Sequence, residues 1–71
     1  MEIKLTTKQD LERAIFYLLD NPDKEVLFYH HHEYIAIISV AISICNAFRI
    51  PYKLYTNEIK INGGILKFVR T

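Results

Sequence analysis

The sequence predicts a small α/β domain, in which a β-α-β-α-β unit with a parallel crossover is followed by a C-terminal antiparallel β-hairpin. Three observations predict this fold. Apolar residues recur at helical spacing in the first third of the chain, a nearly all-apolar segment lies between two strand-like segments, and an Asn-Gly pair is flanked by alternating apolar residues. The length of 71 residues accommodates one domain, 1–71, and no second one.

The N-terminal third predicts the first strand and the first helix. Glu2–Leu5 is a short strand candidate, and the segment Thr6–Gln9 matches a capping box that starts a helix. The turn residues 20–23, Asp-Asn-Pro-Asp, end that helix. Between them lies an amphipathic stripe at helical spacing, formed by Leu11, Ala14, Ile15, Leu18 and Leu19.

The middle of the chain predicts a strand, a buried helix and another strand. Glu25–His31 is rich in β-branched and aromatic residues and is predicted as a strand, as is Tyr52–Tyr55. Glu33–Phe48 is apolar nearly all round, which predicts a helix covered on more than one side. This order favours a right-handed parallel crossover, with an antiparallel edge at the C-terminus. The small residues Ala36, Ser39, Ser43 and Ala47 recur at helical spacing, which would allow one helix face to approach a sheet or another helix closely.

Residues 56–71 predict a hairpin with Asn62-Gly63 as its loop, because a type I′ turn needs positive φ at both loop positions. A loop at Gly63-Gly64 would instead place Lys60 against Lys67, two like charges. The predicted cross-strand pairs are Ile59 with Leu66, Glu58 with Lys67 and Lys60 with Ile65. One face then carries Ile59, Ile61, Leu66 and Phe68, and the other carries Glu58, Lys60, Lys67 and Val69.

Composition argues against several classes of protein. With 51% hydrophobic residues and a net charge of +1, the chain does not have the composition of a disordered protein. A single cysteine cannot form an internal disulfide, and the start MEIKLTTKQD lacks the apolar core of a secretory signal, so a cytoplasmic location is expected. Tyr34–Ile50 spans about 17 residues and contains Arg49, so a buried helix is favoured over a membrane span.

Codon-linked composition indicates the kind of genome. Phe, Tyr, Met, Ile, Asn and Lys total 31 residues, whereas Gly, Ala, Arg and Pro total 11. The first set is encoded by AT-rich codons, so we expect a phage, a virus or a low-GC bacterium as the source. If the source is viral, the expected location is the host cytoplasm.

The run His30–Glu33 is the most conspicuous candidate for chemistry. On an extended chain His30 and His32 point the same way and, with one more ligand, could hold a metal. They are also similar to the paired histidines of rolling-circle nucleases, with Tyr34 nearby, but His31 replaces the hydrophobic middle residue of that motif. The favoured interpretation is a polar strand end that leads into a helix, without a metal.

No other pattern supports catalysis or a cofactor. Cys45 lies in an apolar run without a nearby base, which predicts an inert buried thiol. Gly63-Gly64 matches neither of the usual phosphate-binding loops and is explained by the turn. We therefore expect no catalytic residue, no metal and no cofactor.

Charge is distributed unevenly along the chain. Residues 1–33 carry four basic and seven acidic side chains, a net charge of −3, whereas residues 34–71 carry a net charge of +4. Cations interleaved with tyrosines suit nucleic acid, through phosphate neutralisation and base stacking. The candidate residues for binding nucleic acid or another partner are Arg49, Tyr52, Lys53, Tyr55, Lys60, Lys67 and Arg70.

Residues 24–71 resemble one segment of the ATPase core of phage terminase large subunits and related helicase-like motors. The matching stretches are EVLFYHH, YIAIISVAISICNAF, IPYKLY and IKINGGILKFV. The phosphate-binding Walker A loop and the acidic Walker B strand of that family are absent from this sequence, so no catalytic residue carries over. The resemblance implies a small accessory protein that binds DNA or docks on a DNA-processing enzyme.

These observations lead to two functional expectations. The first is a small non-enzymatic interaction module that binds a protein partner or itself, because 71 residues can hardly cover every side of the helix Tyr34–Phe48. Parts of that helix, Phe16 or Tyr17 are then the interface. The alternative is nucleic-acid binding through the face of Tyr52–Arg70. An enzymatic interpretation depends on the histidine run alone and requires a metal.

Overall fold

In the computed structural model, the described part of the chain comprises the backbone of residues 2–4 and all of residues 8–71. Five strands form one sheet in the order β1-β2-β5-β4-β3. β2 pairs in parallel with β1 and β5, whereas β4 pairs antiparallel with β5 and β3. The elements are β1 (Glu2–Lys4), α1 (Lys8–Asp20), β2 (Glu25–His30), α2 (Tyr34–Ala47), β3 (Lys53–Leu54), β4 (Glu58–Ile61) and β5 (Gly64–Arg70). This mixed sheet with two helices confirms the predicted α/β fold.

The position of the hairpin differs from the sequence prediction. β3 runs parallel to β2, as a crossover through α2 requires, but β5 and β4 lie between them. The C-terminal strand β5 is therefore central, and the short strand β3 is the edge. The physical reason is that β5 has apolar residues on both faces, as central strands do, whereas both residues of β3 are exposed.

A single apolar core lies between the sheet and the two helices. Both helices contribute to it, so they cover the same face of the sheet. On β2 the buried residues alternate with half-buried or exposed ones, which shows that the second face is not covered by either helix. Among residues 8–71, the core residues are Leu11, Ala14, Ile15, Leu18, Val26, Phe28, Ile37, Ala41, Ile44, Cys45, Ile50, Ile59, Ile61, Leu66 and Phe68.

Helix α1 confirms the predicted stripe. Four of its five residues are fully buried, and Leu19 is half-buried. The side-chain amide of Asn21 donates to the Tyr17 backbone carbonyl at 2.9 Å, which satisfies an acceptor in the last turn of α1. The capping box depends on Thr6, which lies outside the described residues.

The hairpin has the predicted loop and register. Asn62 and Gly63 have φ values of 54° and 77°, as a type I′ turn requires. All three predicted pairs are present, and the predicted apolar face is the one that is buried. The side-chain amide of Asn62 also donates to the backbone carbonyls of Leu18 and Leu19, at 3.1 and 3.0 Å. One side chain thus shapes the turn and caps the C-terminus of α1.

Replacing Asn62 with alanine is expected to lower the free energy of unfolding by about 2 kcal/mol, because it removes both hydrogen bonds and strains the positive φ. Asn62→Gly keeps the φ and loses only the hydrogen bonds, so we expect about half that loss. Urea unfolding monitored by circular dichroism measures both. Equal stability of Asn62→Ala and the wild type contradicts the capping role.

Candidate interaction surfaces

The side of helix α2 that faces the core is not the small-residue side that the sequence suggests for close packing. Its buried residues recur at i, i+4, i+7 and i+8 and are Ile37, Ala41, Ile44 and Cys45, whereas the predicted small-residue face is exposed. The prediction of close approach through that face is wrong within the monomer. Burying the isoleucines removes more apolar area from water, and the sheet and α1 together cover only one side of α2.

The outer face of α2 is uncharged and partly apolar. No residue of α2 carries a formal charge, and Ile35 is 79% exposed. The Ser39 hydroxyl donates to the Ile35 carbonyl at 2.7 Å, so this polar group is satisfied within the helix. The exposed residues that define the outer face are Ile35, Ala36, Ser39, Val40, Ser43, Asn46 and Ala47.

The C-terminus of α2 ends in a Schellman motif that extends this surface. The backbone N–H of Ile50 donates to the Cys45 carbonyl at 2.8 Å, and the backbone N–H of Arg49 donates to the Asn46 carbonyl at 3.2 Å. Arg49 has a φ of 54°. The preceding Phe48 is 55% exposed, and its ring meets Phe16 of α1 edge-on at 5.0 Å. Arg49, a predicted binding residue, therefore occupies the position that reverses the chain after α2.

The face of the sheet opposite the helices, called here the open sheet face, brings together four of the seven predicted binding residues. Lys53 lies directly opposite Lys60, Lys67 is opposite Glu58, and the Lys53 ammonium is 5.7 Å from the Tyr55 ring centroid. Within residues 8–71, none of these three lysines has a carboxylate within 4.0 Å. Within residues 8–71, the strand residues of this face are Glu25, Leu27, Tyr29, Lys53, Glu58, Lys60, Ile65, Lys67 and Val69, and Tyr55 follows directly after β3.

A shallow hollow lies at one end of the open sheet face. It has a volume of about 340 Å³ and is lined by Tyr55, Thr56, Asn57, Glu58 and Lys67. The lining includes one aromatic ring and one ammonium group, which are the two kinds of group that a base and a phosphate contact.

Arg70 does not belong to the open sheet face. Its register partner is the buried His30, so it lies on the helix-bearing side, where its guanidinium forms a bidentate ion pair with Glu33 at 2.9 and 3.0 Å. Its backbone amide donates to the Tyr34 hydroxyl at 3.2 Å. These contacts attach the end of β5 to the start of α2.

Tyr52, another of the predicted binding residues, precedes β3 and is 37% exposed.

The histidine run separates into one buried ring and two exposed ones. His30 is 1% exposed, and its Nδ1 lies 3.0 Å from the His32 carbonyl oxygen. Its Nε2 has no hydrogen-bond partner among the described residues, and burial lowers the pKa of the ring. The ring meets Tyr34 and Phe68 edge-on. Across residues 8–71, no three His, Cys, Asp or Glu side chains are placed to share a metal.

Two further sequence expectations concern α2. Cys45 is buried, and burial raises the pKa of its thiol, which disfavours the reactive thiolate. Neither helix in the described part of the chain has the length and hydropathy of a bilayer-spanning segment.

Comparison with protein-family models, with curated proteins and with solved structures found no match for this chain. The outer face of α2 and the open sheet face are therefore the features that indicate a function.

Proposed function

We propose that this chain is a small non-enzymatic interaction domain that associates with a second copy of itself through the outer face of α2. One observation carries the proposal: a 14-residue helix without a charged residue leaves seven of its side chains exposed. Surface helices of monomeric proteins normally turn charged residues to the solvent. An exposed helix face that lacks them is typical of a surface that another protein covers.

The composition of the outer face favours a second copy as the partner. The small residues Ala36, Ser39 and Ser43 let two helix backbones approach closely, and the larger Ile35 and Val40 fill the space beside them. Across a two-fold axis each outer face meets an identical one, so neither copy buries an unpaired charge of the other. Because the Ser39 hydroxyl is already satisfied, its burial leaves no free donor.

The size of the outer face sets the expected affinity. A standard interface buries about 800 Å² on each partner, which is roughly a sixth of the 4504 Å² accessible surface of this chain. Seven exposed helix residues, extended by the neighbouring Phe48, lie at the small end of that range. We therefore expect a reversible dimer with a Kd in the micromolar range.

Replacing Ile35 with lysine is expected to abolish dimerisation, raising the Kd by about 100-fold or more, because the interface would bury an ammonium without a counter-charge. Ser43→Lys, about two turns further along the outer face, should weaken dimerisation for the same reason. Light scattering over a concentration series should show the wild-type mass rising from 8.4 kDa towards twice that value, and both variants remaining monomeric.

Gln9→Lys is the matched control, since it adds the same charge at an exposed position of α1. This variant should dimerise like the wild type. At protein concentrations below the expected Kd, where dimerisation does not add to stability, circular dichroism should show unchanged unfolding of all three variants, because each substituted side chain is exposed. A wild-type mass that stays monomeric up to about 1 mM protein, or an equal loss in Gln9→Lys, contradicts self-association through α2.

A further inference from the structure

We propose, as a function beyond self-association, that the open sheet face binds single-stranded nucleic acid, with Lys53 and Lys60 on the phosphates and Tyr55 stacked on a base. This face lies on the side of the sheet opposite α1 and α2, so dimerisation through the outer face of α2 leaves it accessible. The proposal combines three observations on that face: an opposed lysine pair, an exposed aromatic ring beside it, and an uncovered sheet surface.

The opposed lysine pair is the first observation. Lys53 and Lys60 lie directly across from each other on β3 and β4, an arrangement that destabilises an antiparallel pair through repulsion of like charges. Neither ammonium has a carboxylate within 4.0 Å among the described residues. A phosphate between them would relieve the repulsion, whereas Lys67, further along the face, has Glu58 opposite it.

The aromatic ring is the second observation. Tyr55 is 46% exposed, and the Lys53 ammonium lies over its ring, 5.7 Å from the ring centroid. Tyr55 and Lys67 both line the hollow. The Lys53 ammonium and a base both favour the face of this ring. A base that takes the place of the ammonium would release Lys53 to pair with a phosphate of the same strand. Stacking tolerates any base, so the recognition is expected to depend little on sequence.

The shape of the face favours a single strand over a duplex. Reading a duplex groove requires a protruding helix or β-ribbon, and the open sheet face, which consists of neighbouring strands, offers neither. A single strand presents unpaired bases that a sheet surface can contact. DNA and RNA share the phosphodiester and the exposed bases that this chemistry recognises.

Fluorescence anisotropy with labelled oligodeoxythymidylate and oligouridylate tests the proposal. With two phosphates neutralised, log K should fall with log salt at a slope of about −1.4. Lys53→Gln with Lys60→Gln should remove most of that slope and weaken binding about tenfold. Tyr55→Leu should weaken binding about fivefold with the slope unchanged, because it removes a stacking contact and no charge.

The matched control is Lys8→Gln with Arg13→Gln, which removes two cations from exposed positions of α1. It should leave affinity and slope close to those of the wild type. The proposal is overturned by absence of binding to both oligonucleotides at low salt, or by an equal loss in the control. Equal affinity for single strand, duplex and heparin, with no effect of Tyr55→Leu, would reveal an unspecific polyanion contact only and would also overturn it.

Discussion

Gly64→Ala is expected to remove about 3 kcal/mol of the free energy of unfolding, a large part of the roughly 4–10 kcal/mol typical of a domain of this length. A Cβ at this position would overlap the Lys24 carbonyl oxygen and lie 3.0 Å from Leu18 Cδ2. The Lys24 carbonyl cannot move away freely, because it accepts the Ile65 amide at 2.9 Å where β5 begins beside β2. Urea unfolding of the variant measures the loss.

Gly63→Ala is the comparison that isolates this mechanism. Gly63 has φ 77°, so alanine there is strained, but the atom that its Cβ would meet is a carboxylate oxygen at the flexible end of Asp23. We expect a loss of about 1 kcal/mol. If Gly63→Ala costs as much as Gly64→Ala, or if Gly64→Ala costs less than about 1 kcal/mol, the close backbone approach at Gly64 is not the cause.

The domain is expected to lose stability as the pH falls from about 7.5 to about 5.5, because burial holds the His30 ring neutral in the folded state. The unfolded chain takes up a proton near the ordinary histidine pKa of about 6.5. The folded state, whose His30 pKa is lowered, takes up this proton only at a lower pH. The unfolded state therefore binds more protons in this interval, so the stability that is present above it decreases on acidification.

Most of the groups that surround His30 also lower its pKa. The Arg70 guanidinium and the neighbouring His31 and His32 disfavour a charge on the ring, the Tyr34 and Phe68 rings exclude water, and only the His32 carbonyl favours protonation. Urea unfolding at several pH values should show that His30→Leu flattens the pH dependence, whereas His32→Gln, at an exposed position, preserves it. An unchanged slope in His30→Leu would show that the dependence originates elsewhere.

Much of the fold follows from local sequence signals. The Asn62-Gly63 loop determined the hairpin register, because only one placement of the turn avoided Lys60 against Lys67 and gave a consistent apolar face. The central position of β5 was indicated by a signal that the sequence prediction did not use, namely apolar residues on both of its faces. The sequence explains Gly64 by the turn alone, because its close approach to Lys24 depends on a contact between distant segments.

The candidate surfaces were less predictable. Helical periodicity does not specify a buried side when a helix such as α2 is apolar all round, so the sequence does not reveal that its small residues lie on the exposed side. Of the seven predicted binding residues, Lys53, Tyr55, Lys60 and Lys67 share one face because strand alternation is a local property. The ion pair of Arg70 with Glu33 and the helix-ending role of Arg49 depend on packing that the sequence does not reveal. The implied link to a terminase-like motor stays a prediction.

The most direct test of self-association through α2 is the concentration dependence of the amide chemical shifts of the uniformly ¹⁵N-labelled wild-type protein. Spectra recorded from about 10 µM to about 1 mM bracket the Kd expected for an interface of this size. We predict that the chemical-shift changes are largest for the residues of the outer face of α2, from Ile35 to Ala47. These changes should be absent in Ile35→Lys. Shifts confined to the open sheet face, or spectra that do not change with concentration, would contradict the account.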